Sequence, residues 1–142
     1  VKVVEMANLG IVVSEFNKEI TSKMEEHALH YAKKSGAKVV RTIHVYGAFD
    51  MPLAVKKLLE QKNVDAVVTL GAIIKGETRH DELIAYTVAN ALTRLSLQFN
   101  KPVTLGISGP GVSWELAEAR VDDYAKRAVL AAIGLVKELK KK

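Results

Sequence analysis

Short apolar runs alternate with longer stretches of three- and four-residue hydrophobic spacing along almost the whole chain. Leu9-Gly10-Ile11-Val12-Val13 is a brief run with a β-branched core, which reads as a buried strand, and Asn17 just beyond it is a candidate cap for a following helix. Ile20, Met24, Ala28 and Tyr31 then recur at helical spacing until Ser35-Gly36 ends the segment. Val39-Val40, Ile43 and Val45 form a second strand-like stretch leading to Tyr46-Gly47-Ala48. Pro52 suits the first turn of a short helix, where its missing donor costs little, and Val55, Leu58 and Leu59 give that helix a buried stripe.

The third strand is the clearest, Ala66-Val67-Val68-Thr69-Leu70, with Gly71 expected to stop it. Ile84, Val88, Ala91, Leu92, Leu95 and Phe99 mark a long helix that Asn100-Lys101-Pro102 closes. Val103 to Ile107 is the fourth strand, Ser108-Gly109-Pro110-Gly111 reads as a turn, and the remainder as one or two helices broken near Asp122-Asp123. Strands that are apolar on both faces and separated by helices specify a mainly parallel sheet covered on both sides. In such a sheet ligands bind beyond the carboxyl ends of the strands. Four loops meet that condition: Ser14 to Asn17, Tyr46 to Pro52, Gly71 to His80, and Ser108 to Ser113.

Composition narrows the chemistry more than it changes this picture. The 142 residues suit one domain with a real core, and a hydrophobic share of 49% argues against general disorder. The absence of cysteine removes disulfides, thiolate metal sites and cysteine nucleophiles. The formal charge is +5, but Lys137, Lys140, Lys141 and Lys142 against Glu138 carry more than half of it at one helix end. With aromatics at only 6% and no basic stripe between them, no nucleic-acid partner is expected. No apolar stretch reaches the roughly 18 residues of a membrane span, and nothing resembles a signal peptide, so the expected location is the cytoplasm.

The Gly71 to His80 loop carries the most chemistry. Gly71 and Gly76, the Thr78 hydroxyl and the free donors of a helix start can hold an anion, and the same residues also suit an ordinary strand-to-helix loop. The glycine spacing fits neither a dinucleotide fingerprint nor a Walker loop, since Lys75 precedes Gly76. His80 sits directly before a helix, as a proton shuttle or as a residue flanking that helix. Phe16, Phe49 and Asp50 offer an aromatic face and a carboxylate for a polyol, or else core filling and a helix cap. Arg120, Lys126 and Arg127 are candidate phosphate cations, or partners for Glu118, Asp122 and Asp123. His27 and His30 read as helix-surface residues and His44 as a strand residue, not as metal ligands.

Four segments in order now carry a resemblance: Glu15-Phe16-Asn17, Gly47-Ala48-Phe49-Asp50-Met51-Pro52, Gly71-Ala72-Ile73-Ile74-Lys75-Gly76-Glu77-Thr78-Arg79-His80 and Lys101-Pro102-Val103-Thr104-Leu105-Gly106. Together they resemble the lumazine synthases of riboflavin biosynthesis, especially the archaeal branch, over essentially the whole chain. The resemblance implies a flavodoxin-like, three-layer α/β/α sandwich around a mainly parallel four-stranded sheet, as a single domain over residues 1–142. It implies a transferase that condenses 5-amino-6-(D-ribitylamino)uracil with 3,4-dihydroxy-2-butanone 4-phosphate, releasing phosphate and water, with no metal or organic cofactor.

By the same resemblance Phe16 stacks on the pyrimidine, while Ala48, Phe49 and Asp50 hold the ribityl chain. Asp50 stands where the family usually has glutamate, and Leu105 where many bacterial relatives have phenylalanine over the heterocycle. Gly76, Glu77 and Thr78 fall at the phosphate, largely through backbone donors, with the Glu77 side chain turned away. Arg120 matches the phosphate-binding arginine, Lys126 is a second cation there, and His80 moves protons. The family assembles as pentamers, some closing twelve into a 60-subunit icosahedral shell. Its sites lie between subunits, so Phe16, Asp50 and His80 are expected to face Leu105 and Arg120 of a neighbour. The competing readings are a self-assembling shell or scaffold with incidental or lost catalysis, and a flavin-like ligand-binding module.

Overall fold

The computed structural model describes residues 6–142. Strands β1 (Asn8–Ser14), β2 (Lys38–Val45), β3 (Ala66–Ile74) and β4 (Val103–Val112) form one sheet in the order β2-β1-β3-β4, each neighbouring pair parallel. Helices α1 (Lys18–Lys34), α2 (Met51–Leu59), α3 (His80–Phe99), α4 (Trp114–Ala119) and α5 (Val121–Lys140) cover it. Side chains alternate across each strand. Leu9, Ile11 and Val13 of β1 thus face α1 and α5, where Ile20, Met24, Ala28, Val129 and Ala132 meet them. On the other face Val12, Val67 and Ile107 meet Met51, Val55 and Leu58 of α2 and Val88 and Leu92 of α3. These are the three layers that the strand and helix order called for. No helix among the described residues is long and apolar enough to cross a membrane.

Two threonines enter this apolar interior because each closes a hydrogen bond there. Thr69 Oγ1 donates to the carbonyl of Thr104 at 2.8 Å, and Thr104 Oγ1 donates to the carbonyl of Ala128 at 2.8 Å, joining β3, β4 and α5. Gly106 lies between those contacts. A Cβ there would come within 2.6 Å of the Thr69 carbonyl and 3.0 Å of Ala128 Cβ, and neither can swing aside. Gly106→Ala should therefore cost about 2–3 kcal/mol, as overpacking of a rigid site does. Chemical denaturation at matched protein concentration reads this out, and an unchanged midpoint would show that the layers have slack.

Three boundaries differ from the sequence reading. Gly71 does not stop β3, which continues to Ile74 because β4 continues beside it: Gly71 pairs with Ile107, Ala72 with Ser108 and Ile74 with Val112. Ser108 to Gly111 is accordingly not a turn but a bulged part of β4, two residues longer than the β3 segment it accompanies. Gly109 takes φ 109 within the bulge, and a side chain there would collide with the carbonyl of Ile73. The last helical break falls at Arg120, whereas Asp122 and Asp123 lie in the first turn of α5, where their charge complements the exposed amide ends.

The strand order decides where a ligand can enter. From β1 the chain turns through α1 toward β2 on one face, while from β3 it turns through α3 toward β4 on the other. The loops after β1 and β3 consequently diverge, and a crevice opens between adjacent strand ends.

Candidate active site

That crevice is a cavity of about 700 Å³, lined by Ser14, Phe16, Asn17, Tyr46, Gly47, Ala48, Phe49, Asp50, Ala72, Ile73, Ile74, Gly76, Thr78, His80, Asp81 and Ile84. Its size and largely apolar wall with a few polar groups suit a small organic ligand. Its first wall comes from an extended ladder. Beyond the strands proper, the Glu15 N–H donates to the Val45 carbonyl at 2.7 Å and the Phe16 N–H to the Tyr46 carbonyl at 2.8 Å. This fixes the Phe16 backbone while the residue stays 58% exposed at the cavity.

Asn17 was expected to cap α1, but its side chain makes no capping bond. It instead adopts the left-handed region, at φ 62, which asparagine tolerates better than most residues. Its Nδ2 donates to the Ala72 carbonyl at 2.8 Å, so the loop after β1 is tied to the extension of β3. Opposite, Gly47 and Asp50 lock a single 3₁₀ turn at Ala48–Asp50. The Asp50 N–H donates to the Gly47 carbonyl and the Gly47 N–H to Asp50 Oδ2, both at 3.0 Å. One oxygen of Asp50 thus sets the turn and does not cap α2.

The far wall is Ala72, Ile73 and Ile74, followed by the exposed loop to Arg79. Thr78 Oγ1 accepts the His80 N–H at 3.3 Å, leaving the hydroxyl hydrogen free for an anion. Arg79 is directed away, its Nε donating to Glu82 at 2.7 Å, and that bond to a carboxylate raises the guanidinium pKa. His80 is the first residue of α3 and lines the cavity, and no described side chain engages its imidazole.

Asp81 is a site residue that sequence reasoning missed. It is buried, lines the cavity, and its Oδ2 accepts the Gly111 N–H at 2.8 Å, tying the start of α3 to the β4 bulge. Among the described residues, Ser108 Oγ is the buried side-chain polar atom left without a partner. The second Asp81 oxygen accepts no bond and keeps some accessible surface. An acidic residue in a first helical turn is commonplace, so nothing in the sequence set Asp81 apart. Ala72, Ile73 and Ile74 belong to the wall without any sequence signal, because apolar strand residues carry no chemical mark.

Not every candidate gathers here. Phe16, Ala48, Phe49, Asp50, Gly76, Thr78 and His80 share the cavity, and Glu77 lies in its rim loop with an exposed side chain. Leu105 is instead exposed on the edge strand, in a depression with Thr104, Tyr124, Arg127, Ala128 and Ala131. Arg120 is exposed at the junction of α4 and α5. Lys126 has its Nζ 5.7 Å from the Tyr31 ring centroid. Nearby, Asp122 Oδ1 lies 2.8 Å from both His27 Nδ1 and the Tyr31 hydroxyl. The His27 bond, then the Tyr31 bond, hold the Asp122 carboxyl below its ordinary range, with Lys126 adding a smaller pull. Arg127 pairs with Asp123 at 3.4 Å, and His44 with Glu25 at 2.7 Å.

Comparison with known proteins gives one consistent answer. A family model described as 6,7-dimethyl-8-ribityllumazine synthase matches residues 6–140. A protein of that name from Methanocaldococcus jannaschii is 56% identical over 95% of this chain and 95% of its own length. One from Saccharolobus islandicus is 57% identical over 94% of this chain and 86% of its own length. Another, from Archaeoglobus fulgidus, is 54% identical over 96% and 94% respectively.

Proposed function

The chain belongs to the 6,7-dimethyl-8-ribityllumazine synthase family and is a transferase of riboflavin biosynthesis, and from this premise we propose that the cavity between β1 and β3 is its share of the active site. The observation that carries the proposal is one cavity joining Phe16, Ala48 to Asp50, Gly76, Thr78 and His80, which lie on three separate loops. The reaction joins 5-amino-6-(D-ribitylamino)uracil to 3,4-dihydroxy-2-butanone 4-phosphate. The pyrimidine stacks on Phe16, and the ribityl hydroxyls donate to Asp50 and to the backbone beside it. The phosphate takes the N–H groups of Gly76 to Thr78 and the Thr78 hydroxyl, with Glu77 turned outward because two adjacent anions repel.

The chemistry then needs little covalent help from the protein. The substrate amine attacks the ketone and water leaves, giving an imine. Loss of a proton from the carbon beside the imine expels phosphate from the next carbon. After tautomerisation the second amine closes the ring and water leaves again. His80, beside the phosphate loop, is the group placed to take and return these protons. Holding both substrates in one geometry supplies much of the remaining acceleration.

Leu105 and Arg120 complete the site from a second copy in this reading, so the working form is a homo-oligomer. Its size is a pentamer or a 60-subunit shell of twelve pentamers, which sedimentation separates. We place Arg120 on the phosphate. Lys126 would have to leave the Tyr31 ring to reach an anion, so it stands second. Incubating the purified protein with both substrates and following lumazine fluorescence tests the whole reading. We expect turnover above the uncatalysed rate, and a rate equal to background would leave the scaffold reading in its place.

A further inference from the structure

We infer that Tyr46 is a second aromatic wall for the heterocycle, set at an angle to Phe16, an inference that rests on the lumazine synthase reading of the cavity. Tyr46 is 77% exposed and lines the cavity. Its centroid is 6.2 Å from that of Phe16, with 66° between the ring planes. The two rings therefore stand edge to face at the cavity. A planar ligand stacked on the Phe16 face brings its rim against Tyr46, and the electropositive edge of one ring meeting the electronegative face of another is a favoured aromatic arrangement.

The pair is positioned by the backbone and not by side-chain packing. The ladder between β1 and β2 runs two residues past β1 and one past β2, and its last bond joins the Phe16 N–H to the Tyr46 carbonyl. Removing the Tyr46 ring leaves that bond intact, so Phe16 keeps its backbone position. No described group engages the Tyr46 hydroxyl, so Tyr46→Phe separates the contribution of the ring from that of the oxygen without breaking a contact within the described residues. Tyr46 follows β2 whereas the phosphate loop follows β3, so the effect is expected to fall on the heterocyclic substrate.

Tyr46→Ala and Tyr46→Phe, compared with wild type in steady-state turnover and in fluorescence titration with the lumazine product, test this. Tyr46→Ala should raise KM for the ribitylaminopyrimidine and Kd for the product by about tenfold, the scale of one aromatic contact. Its KM for the ketone phosphate should move less than twofold, and Tyr46→Phe should restore wild-type values. Unchanged pyrimidine KM and product Kd in Tyr46→Ala would overturn the inference. Equal shifts in both KM values would overturn it too, by revealing a displaced loop, and so would a Tyr46→Phe defect as large as that of alanine, by assigning the effect to the hydroxyl. If wild type neither turns over nor binds product, the underlying reading of the cavity fails first. Wild-type turnover with an unaffected Tyr46→Ala removes the Tyr46 wall alone.

Discussion

Replacing His80 by alanine should lower kcat by about 10²-fold while leaving KM for both substrates within a few-fold. The expected size sits at the lower end of positioned proton transfer because nucleophile and leaving group both belong to the substrates. Their juxtaposition by Phe16 and the Gly76 to Thr78 loop survives the substitution. The selectivity for kcat follows from placement. His80 opens α3, its backbone is held by Thr78 Oγ1, and its ring has no partner among the described residues, so alanine removes a proton carrier without removing a binding contact. The neighbouring Asp81 keeps the helix start fixed through Gly111 in the variant. Steady-state kinetics against the uncatalysed background measure the effect. An unchanged kcat, or a KM that rises as far as kcat falls, would remove the proton-transfer role.

The same residues show what the sequence makes legible. The two central strands, β1 and β3, announced themselves because both of their faces are buried, so that Leu9 to Val13 and Ala66 to Leu70 had to be largely apolar. The strand ends did not. Gly71 and the Ser108 to Gly111 run have the composition of turns, yet in the folded chain they let β3 and β4 extend side by side. Glycine and proline mark unusual backbone, but whether that means a turn or a bulge depends on a strand far away in sequence. Asn17 was misjudged for the same reason: its partner is a carbonyl fifty-five positions on, not the helix it precedes.

The site was legible in so far as chemistry resides in side-chain type. His80, Thr78, Asp50 and Phe16 could be singled out from the predicted strand ends, though only family resemblance ranked them above their ordinary structural roles. Walls made from apolar residues escaped notice, since Ala72 to Ile74 have the composition of any buried strand. Tyr46 escaped because its partner Phe16 lies thirty residues earlier and only the parallel ladder brings the rings together. Leu105 and Arg120 were recognised by resemblance, and their positions outside the cavity fit residues that serve another copy.

Arg120→Ala should reduce kcat/KM for the ketone phosphate by about 10²-fold, the usual loss when a charged donor to a developing phosphate anion is removed. His80→Ala fails for a different reason. If one copy supplies His80 and its neighbour Arg120, an equimolar co-assembly of the two variants regenerates intact sites. A site is whole when its His80 comes from an Arg120→Ala chain and its arginine from a His80→Ala chain. Random mixing around a closed ring gives this at about one site in four. Co-refolded mixtures should therefore recover roughly a quarter of wild-type activity, far above either variant. If both residues served one copy's cavity, every site in the mixture would carry a lesion and activity would remain at the mean of the two variants. The first outcome is the one expected from our reading that Arg120, exposed at the junction of α4 and α5 and outside the cavity lined by His80, serves a neighbouring copy.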